Sequence, residues 1–442
     1  MSPTMPLHSS VLPRFWHLCA LAVVCGLLAA GPALAIDHTL PGVLAHTFAD
    51  SPDLAAARAD LRVAQEEVDR ARSGWRPTVQ AYADATAARQ DTDPGDPQDG
   101  VEKTLGASVS QPLYRGGSTI ASVRGAKAAL DAQRAALTRA EQALLLAAAS
   151  AYMDVVEAVA LEGLAATNRD VLAEERDAAQ ERFSLGDLTK TDVSQAEARL
   201  AGAEADLIRA RGVLETRRAV FTQVTGLPLA PTDTLASPPE GVLDAVLPKA
   251  LPEATARARA AAPRVRVAQG QARAAGYGVG AVRGELWPQV ALNAGVDHVY
   301  DPVGLDYDAQ TQGRVGVRAT LPLYQGGAVR ARLRQSQHEE ARSRDVLATA
   351  RRAAEREAVE AWTVLTAARA ATRARADEVA AQRLAREGVR EEAALGGRTV
   401  LDVLNADQEY LDAQAALVSA ERAEVVARFA LAAALGLLDV PS

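Results

Sequence analysis

The chain has 442 residues, with 48 Lys and Arg against 56 Asp and Glu and a formal net charge of −8, a balance that argues against nucleic acid as a partner. Aromatic residues make up only 4%, so a core packed mainly from large side chains is excluded, and helices brought close through small residues fit better. The length has room for two or three domains, yet one unit written twice needs only a single architecture.

Arg14, the apolar run 18–30 and Pro32-Ala33-Leu34-Ala35 have the layout of a secretory signal over residues 1–35. The mature chain is expected to begin near Ile36. Both cysteines, Cys19 and Cys25, lie inside that leader, which leaves no disulfide, no thiolate metal site and no lipid-bearing cysteine. The best later apolar run, residues 143–153, stops at Asp154, so no helix of the ~18 apolar residues needed to cross a membrane is expected.

A first repeat is expected over residues 36–227. Ser51-Pro52 caps a short helix running to about Gly74, and Trp75, Arg76 and Pro77 end it. From Thr78 the pattern alternates: Val79, Ala81, Ala83 and Ala85 on one face, Gln80, Tyr82, Asp84 and Thr86 on the other. A turn-rich segment, residues 91–100, leads to a second alternating run ending at Gln111, giving a strand pair over 78–111. Residues 111–118, QPLYRGGS, then open a helix of roughly 100 Å. Steps of seven from Val123 reach Leu130, Leu137, Leu144, Ala151, Ala158, Ala165, Leu172 and Ala179, an apolar seam for supercoiled packing. Residues 185–189 break that helix, and a return helix completes a long hairpin over 119–225.

Residues 228–250 are proline-rich and read as the join between repeats. A second repeat follows over 251–437, with a short helix, a strand pair over 288–321 and a helical hairpin over 329–436; residues 438–442 form a short tail. Its opening motif at 321–328, LPLYQGGA, stands 210 positions after the first. At that offset Tyr152 meets Trp362, and residues 185–193 (LGDLTKTDV) meet 395–403 (LGGRTVLDV). A period this long marks an internally duplicated domain rather than a solenoid.

Four strands cannot close a barrel, and an open sheet edge in lipid leaves backbone groups unpaired at several kcal/mol each. Either the sheet stands in water or several chains share one barrel, and a conducting barrel favours three or more copies. Aromatic residues at the strand ends, Trp75 and Trp287 on one side and Tyr300 and Tyr307 on the other, favour the membrane.

The duplicated PLYxGG motif between strand and long helix, followed by a helix-breaking glycine and an Asp-Val pair, resembles the outer-membrane factor family typified by TolC, from about Leu40 to Leu437. The resemblance implies a mainly α chain with a transmembrane β-hairpin per repeat, assembled as a homotrimer. A trimeric α-helical barrel would continue a shared 12-stranded β-barrel through outer-membrane lipid into the periplasm. It further implies a passive exit duct of a tripartite efflux pump or type I secretion system, fed by an inner-membrane RND or ABC transporter through a periplasmic adaptor (membrane fusion) protein. Enzymatic activity and cofactors are not implied.

Site residues follow by the same resemblance. Leu185, Gly186, Asp187, Leu188 and Thr189, with Leu395, Gly396, Gly397 and Thr399, match the helix-turn tips met by the adaptor. Asp402 matches an acidic pore constriction, where three carboxylates would attract cations; Asn405 stands where a second acid is common, so block by multivalent cations should be weaker. Arg398, Thr191 and Asp192 match a gate latch between hairpins, with Ala393 in place of its tyrosine. Pro112, Gly116, Gly117, Pro322, Gly326 and Gly327 swivel strand into helix. Six histidines are scattered without metal-ligand spacing, and the Arg-rich run 330–334 reads as a solvated helix face. The alternative is a periplasmic coiled-coil adaptor without a pore, for which a single hairpin flanked by small β-rich domains would be expected.

Overall fold

The computed structural model describes residues 38–91, 96–230, 233–239, 241–303 and 308–439. The expected leader with its cysteines, Tyr307 and the end of the tail lie outside them. Twelve elements alternate in two matching sets. The first is α1 (Leu40–Asp50), α2 (Pro52–Arg72), β1 (Thr78–Gln90), β2 (Gln98–Arg115), α3 (Ser118–Ser184) and α4 (Lys190–Thr225). The second is α5 (Leu251–Ala261), α6 (Pro263–Gly284), β3 (Gln289–Tyr300), β4 (Ala309–Thr320), α7 (Ala328–Ala394) and α8 (Val400–Leu435).

The short helix expected from Ser51-Pro52 is α2, preceded by an unexpected helix, α1, and the short helix of the second repeat is likewise two, α5 and α6. Pro52 and Pro263 lack the N–H that would continue a helix, so α1 ends against α2 at Ser51 and α5 ends against α6 at Ala262. Ser51 serves both neighbours: its N–H donates to Thr47 O at the end of α1, and its Oγ accepts from Leu54 N–H at the start of α2.

Helix α3 is the spine. Its first half packs between α2 and α6, its second between α4 and α8, while α7 lies on the far side of α6 and α8. Four helices thus lie side by side towards each end, with α2 or α4 beside α3 and α7 at the opposite border, and α1 and α5 add to them at mid-length. The predicted seam faces this packing: Val123, Ala151, Ala158, Leu172 and Ala179 are buried, and Leu130, Leu137, Leu144 and Ala165 are half-buried. Small residues set the spacing, since a Cβ on Gly270 would lie 2.7 Å from that of Ala132 across α3 and α6. The main core sits mid-length, where Tyr152, Phe221, Val155, Val265, Leu431 and Leu435 gather with Val43 of α1 and Leu227 of the inter-repeat segment.

In one respect the sequence expectation falls short. Helix α3 does contain a stretch long and apolar enough to cross a membrane by length and composition, but 44% of it is buried inside the protein. Asp154 interrupts the run without undoing its apolar composition, and in the fold that carboxylate is paired with Arg217 and Arg422.

The four strands form one antiparallel meander in the order β1-β2-β3-β4, so β2 and β3 join the two hairpins and β1 and β4 remain edges. Strand β2 has 18 residues and runs past Gln111 to Arg115, because β3 supplies partners as far as Arg115 opposite Gln289, across a bulge at Pro112. Strand β4 instead stops at Thr320, and residues 321–325 belong to no strand. One face of the sheet is apolar and open, with Val79, Val101, Leu105, Val109, Val296, Val315 and Val317 all exposed. Such a patch is stable only against lipid or another apolar surface.

Candidate functional site

Two places concentrate polar side chains: the turns of the long hairpins and the polar face of the sheet. At the first turn, Gly186 takes φ +85°; its N–H donates to Phe183 O, and Asp187 N–H donates to Arg182 O. These two bonds close the end of α3, and a left-handed position of this kind is one that glycine fills without strain. Gly396 takes φ +82°, with Gly396 and Gly397 N–H donating to Ala393 O and Glu392 O. Leu185 and Leu395 are 72% and 89% exposed, so both tips offer an apolar side chain to water.

Each return helix opens on a reciprocal cap. Asp192 Oδ2 accepts from Thr189 Oγ1 at 2.7 Å and from Thr189 N–H at 2.9 Å, while Thr189 Oγ1 accepts from Asp192 N–H at 3.3 Å. Thr399 and Asp402 repeat the arrangement at 2.8, 2.9 and 3.3 Å. The bond from the Thr189 hydroxyl, then that from its N–H, hold Asp192 below the usual carboxylate range. For Asp402 the order is reversed, with the Thr399 N–H first. A depressed folded-state pKa contributes stability that is complete above the unfolded value of about 3.9 and lost as pH falls through the folded one. Acidification from pH 7 to 3 is therefore expected to loosen both tips, seen as rising mobility of a spin label on Leu185→Cys. Unchanged mobility, or loosening already complete at pH 6, would contradict this.

Within the chain the predicted latch residues are not brought together. Arg398 pairs with Glu392 of its own hairpin at 2.7 Å, and that bond raises its pKa further. Thr191 is exposed on the first turn of α4. Asn405 does bridge the hairpins, its Oδ1 accepting from Arg199 Nη2 of α4 at 2.9 Å.

A stronger clasp lies two turns inward, among residues the sequence reading passes over. Asp407, 5% exposed, accepts from Arg386 Nε at 2.5 Å and from Arg390 Nη2 at 2.8 Å. Arg390 also stands 3.6 Å from Glu175 of α3. The available signal was an acid on the stripe of Val403 and Leu404, both buried. An apolar cluster of Leu172, Leu200, Ala203 and Leu404 packs beside these polar bridges.

On the polar face of the sheet, the Tyr82 hydroxyl of β1 donates to Asp297 of β3, and Arg314 of β4 donates to the same carboxylate. Gly106 lies between them, and a Cβ there would come within 2.4 Å of the Tyr82 ring. Its missing side chain lets the tyrosine lie across β2. Where strand meets helix, Gly116 and Gly117 have φ +60° and +79°, and Gly326 and Gly327 have +60° and +82°. Pro112 lies within β2, whereas Pro322 lies beyond the end of β4.

A family model described as outer membrane efflux protein matches residues 43–227 and 255–437. Outer membrane efflux protein BepC of Brucella suis biovar 1 (strain 1330) is 33% identical over 420 residues, 95% of this chain and 90% of that protein. Outer membrane protein TolC of Escherichia coli (strain K12) is 23% identical across 95% of this chain and 86% of that protein. The solved structure of the outer membrane protein VceC from Vibrio cholerae has the same fold, with a TM-score of 0.74 at 22% identity over 90% of this chain and 96% of that one. None of these likenesses supports a periplasmic adaptor without a pore. With the family model spanning both repeats and a relative 33% identical along nearly the whole chain, the protein belongs to the outer membrane efflux protein family, TolC-like channels that reach from the outer membrane into the periplasm.

Proposed function

We propose that three copies close into one duct, a 12-stranded β-barrel in outer-membrane lipid continued by an α-helical barrel, and that it passes substrates handed over by an inner-membrane RND or ABC transporter. The observation that carries this reading is the pair of open borders. Strands β1 and β4 are both unpaired edges, and α7 buries few residues for its length, so the chain is finished only by neighbours on both sides. An RND partner would serve efflux and an ABC partner efflux or type I secretion; a periplasmic adaptor would meet the exposed tips at Leu185–Thr189 and Leu395–Thr399. The two repeats divide as residues 36–227 and 251–437, joined by 228–250.

Asp402 and Asn405 line the periplasmic constriction in this reading, and Arg398, Thr191 and Asp192 of adjoining hairpins latch it. Asp402 spends one oxygen on its cap, while Oδ1 takes no bond within the described chain. A depressed pKa keeps the group charged at neutral pH, so three copies would favour cations. Single-channel conductance in planar bilayers tests the assignment. Wild type should give small cation-selective currents, Arg398→Ser larger ones, and Asp402→Asn should lose cation selectivity while keeping an acceptor for the Thr399 cap. Conductance and selectivity indifferent to both changes would overturn the gate.

A further inference from the structure

The chain contains a pattern for the contact between its own copies. A step of 211 residues carries β1 onto β3 and a step of 210 carries β2 onto β4, for Thr78 opposite Ser110 becomes Gln289 opposite Thr320. The two hairpins therefore share one register. Their junction sets Ser108 of β2 opposite Gly295 of β3. Applied to that junction, the same two steps lay β4 of one copy along β1 of the next, with Arg318 opposite Asp84. We propose that Arg318 pairs with Asp84 of the partner subunit across this seam, fixing the register in which the barrel closes. The inference rests on the trimeric reading and specifies the contact that reading leaves open.

Both faces of the sheet agree with this register. Arg318 lies on the polar face with Arg314, and Asp84 lies on it with Tyr82. On the apolar face Val315, Val317 and Ala319 fall opposite the partner's Ala87, the partner's Ala85 and the partner's Ala83. A slip of one residue would set these apolar groups against the partner's Asp84 and the partner's Thr86. Neither Asp84 nor Arg318 has an ion pair within the described chain, and both are exposed.

A missing neighbour also explains how the repeats differ. Leu113 and Tyr114, in strand beside β3, are 57% and 48% exposed, whereas their counterparts Leu323 and Tyr324 are 88% and 86% exposed. A Cβ on Gly116 would lie 2.0 Å from Gly284 O, yet nothing lies within 4 Å of one on Gly326. Beside a partner's β1, residues 322–325 would gain the pairing that residues 112–115 have within the chain. The equivalent pair within the chain, Ser108 and Gly295, is neutral, so at this position a charged pair arises only at the seam. Since exposed ion pairs add little stability, the contact acts by selecting the correct edge and register.

Cysteine pairing tests this in the full chain, because directly opposed strand positions come within disulfide reach. Oxidised outer membranes carrying Asp84→Cys with Arg318→Cys should show most of the protein as covalent dimers and trimers on non-reducing gels. Asp84→Cys with Gln312→Cys, displaced along β4, should stay monomeric on those gels. Cross-links from the displaced pair, or none from the first pair while the detergent-solubilised mass remains trimeric, would overturn the register and leave the trimer standing. A monomeric mass would overturn the trimeric reading and this inference with it. A charge reversal gives a second readout: Asp84→Arg should lower the trimeric share of the detergent-solubilised protein, and Asp84→Arg with Arg318→Asp should restore it.

Discussion

Replacing Tyr152 by alanine is expected to destabilise the protein by about 3–5 kcal/mol, the cost typical of emptying a large aromatic site in a core. The residue is completely buried, with its ring 6.5 Å from that of Phe221. Its hydroxyl donates toward two carbonyls remote in sequence, His38 O at 3.0 Å and Ala236 O at 2.7 Å. One side chain thus ties the entry to α1 and the inter-repeat segment to the middle of α3. Tyr152→Phe keeps the packing and strips those carbonyls of a donor, so about 1–3 kcal/mol is expected. The midpoint of denaturant-induced loss of the folded channel should fall in the order wild type, Tyr152→Phe, Tyr152→Ala. Equal midpoints for wild type and Tyr152→Ala would show that the inter-repeat segment is not anchored there.

Tyr152 also marks where the sequence is legible and where it stops being so. Its equivalence to Trp362 is visible at the 210-residue spacing, as are the seam from Val123 to Ala179, the strand pairs and the glycine turns, because each follows from a local rule of period or backbone conformation. The difference between the two aromatics is not visible. Tyr152 is sealed by α1 and the inter-repeat segment, whereas Trp362 is half-buried, an outcome of tertiary position alone. In the same way α1 and α5, 11 residues each, are too short for a helical period to stand out, and each is held by what it packs against: α1 by α3 and α4, α5 chiefly by α7.

The hairpin ends separate into the same two classes. Gly186, Gly396 and the Thr-Asp caps follow from adjacent residues and can be read directly. By contrast, Arg199 to Asn405 and Arg390 to Glu175 each join residues some 200 positions apart, and no spacing rule links such partners. Asp192 and Asp402 are equivalent in the duplication and make the same cap, so the cap alone assigns neither a latch nor a constriction. Any difference in their roles arises from what faces them, which depends on how the hairpins of several copies meet.

Removing the Asp407 carboxylate is expected to loosen the second hairpin more than any change at its tip. The acid is nearly inaccessible, and two guanidiniums converge on it, Arg386 at 2.5 Å and Arg390 at 2.8 Å. Stripping one partner from a buried charge network leaves the remainder uncompensated. Here the arginines keep 25% and 38% exposure, so water recovers part of the loss and about 1–3 kcal/mol is expected for Asp407→Ala. Arg390→Ala should cost less, since Arg386 still satisfies the acid. Amide exchange over residues 386–410 should accelerate in that order, while residues 190–200 change little. Because α3 is held to this clasp through Glu175, Asp407→Ala should also raise channel conductance without altering the Asp402 carboxylate that would set selectivity. Exchange over 386–410 as slow as wild type would remove Asp407 from any part in holding the hairpins together, and faster exchange with unchanged conductance would confine it to folding.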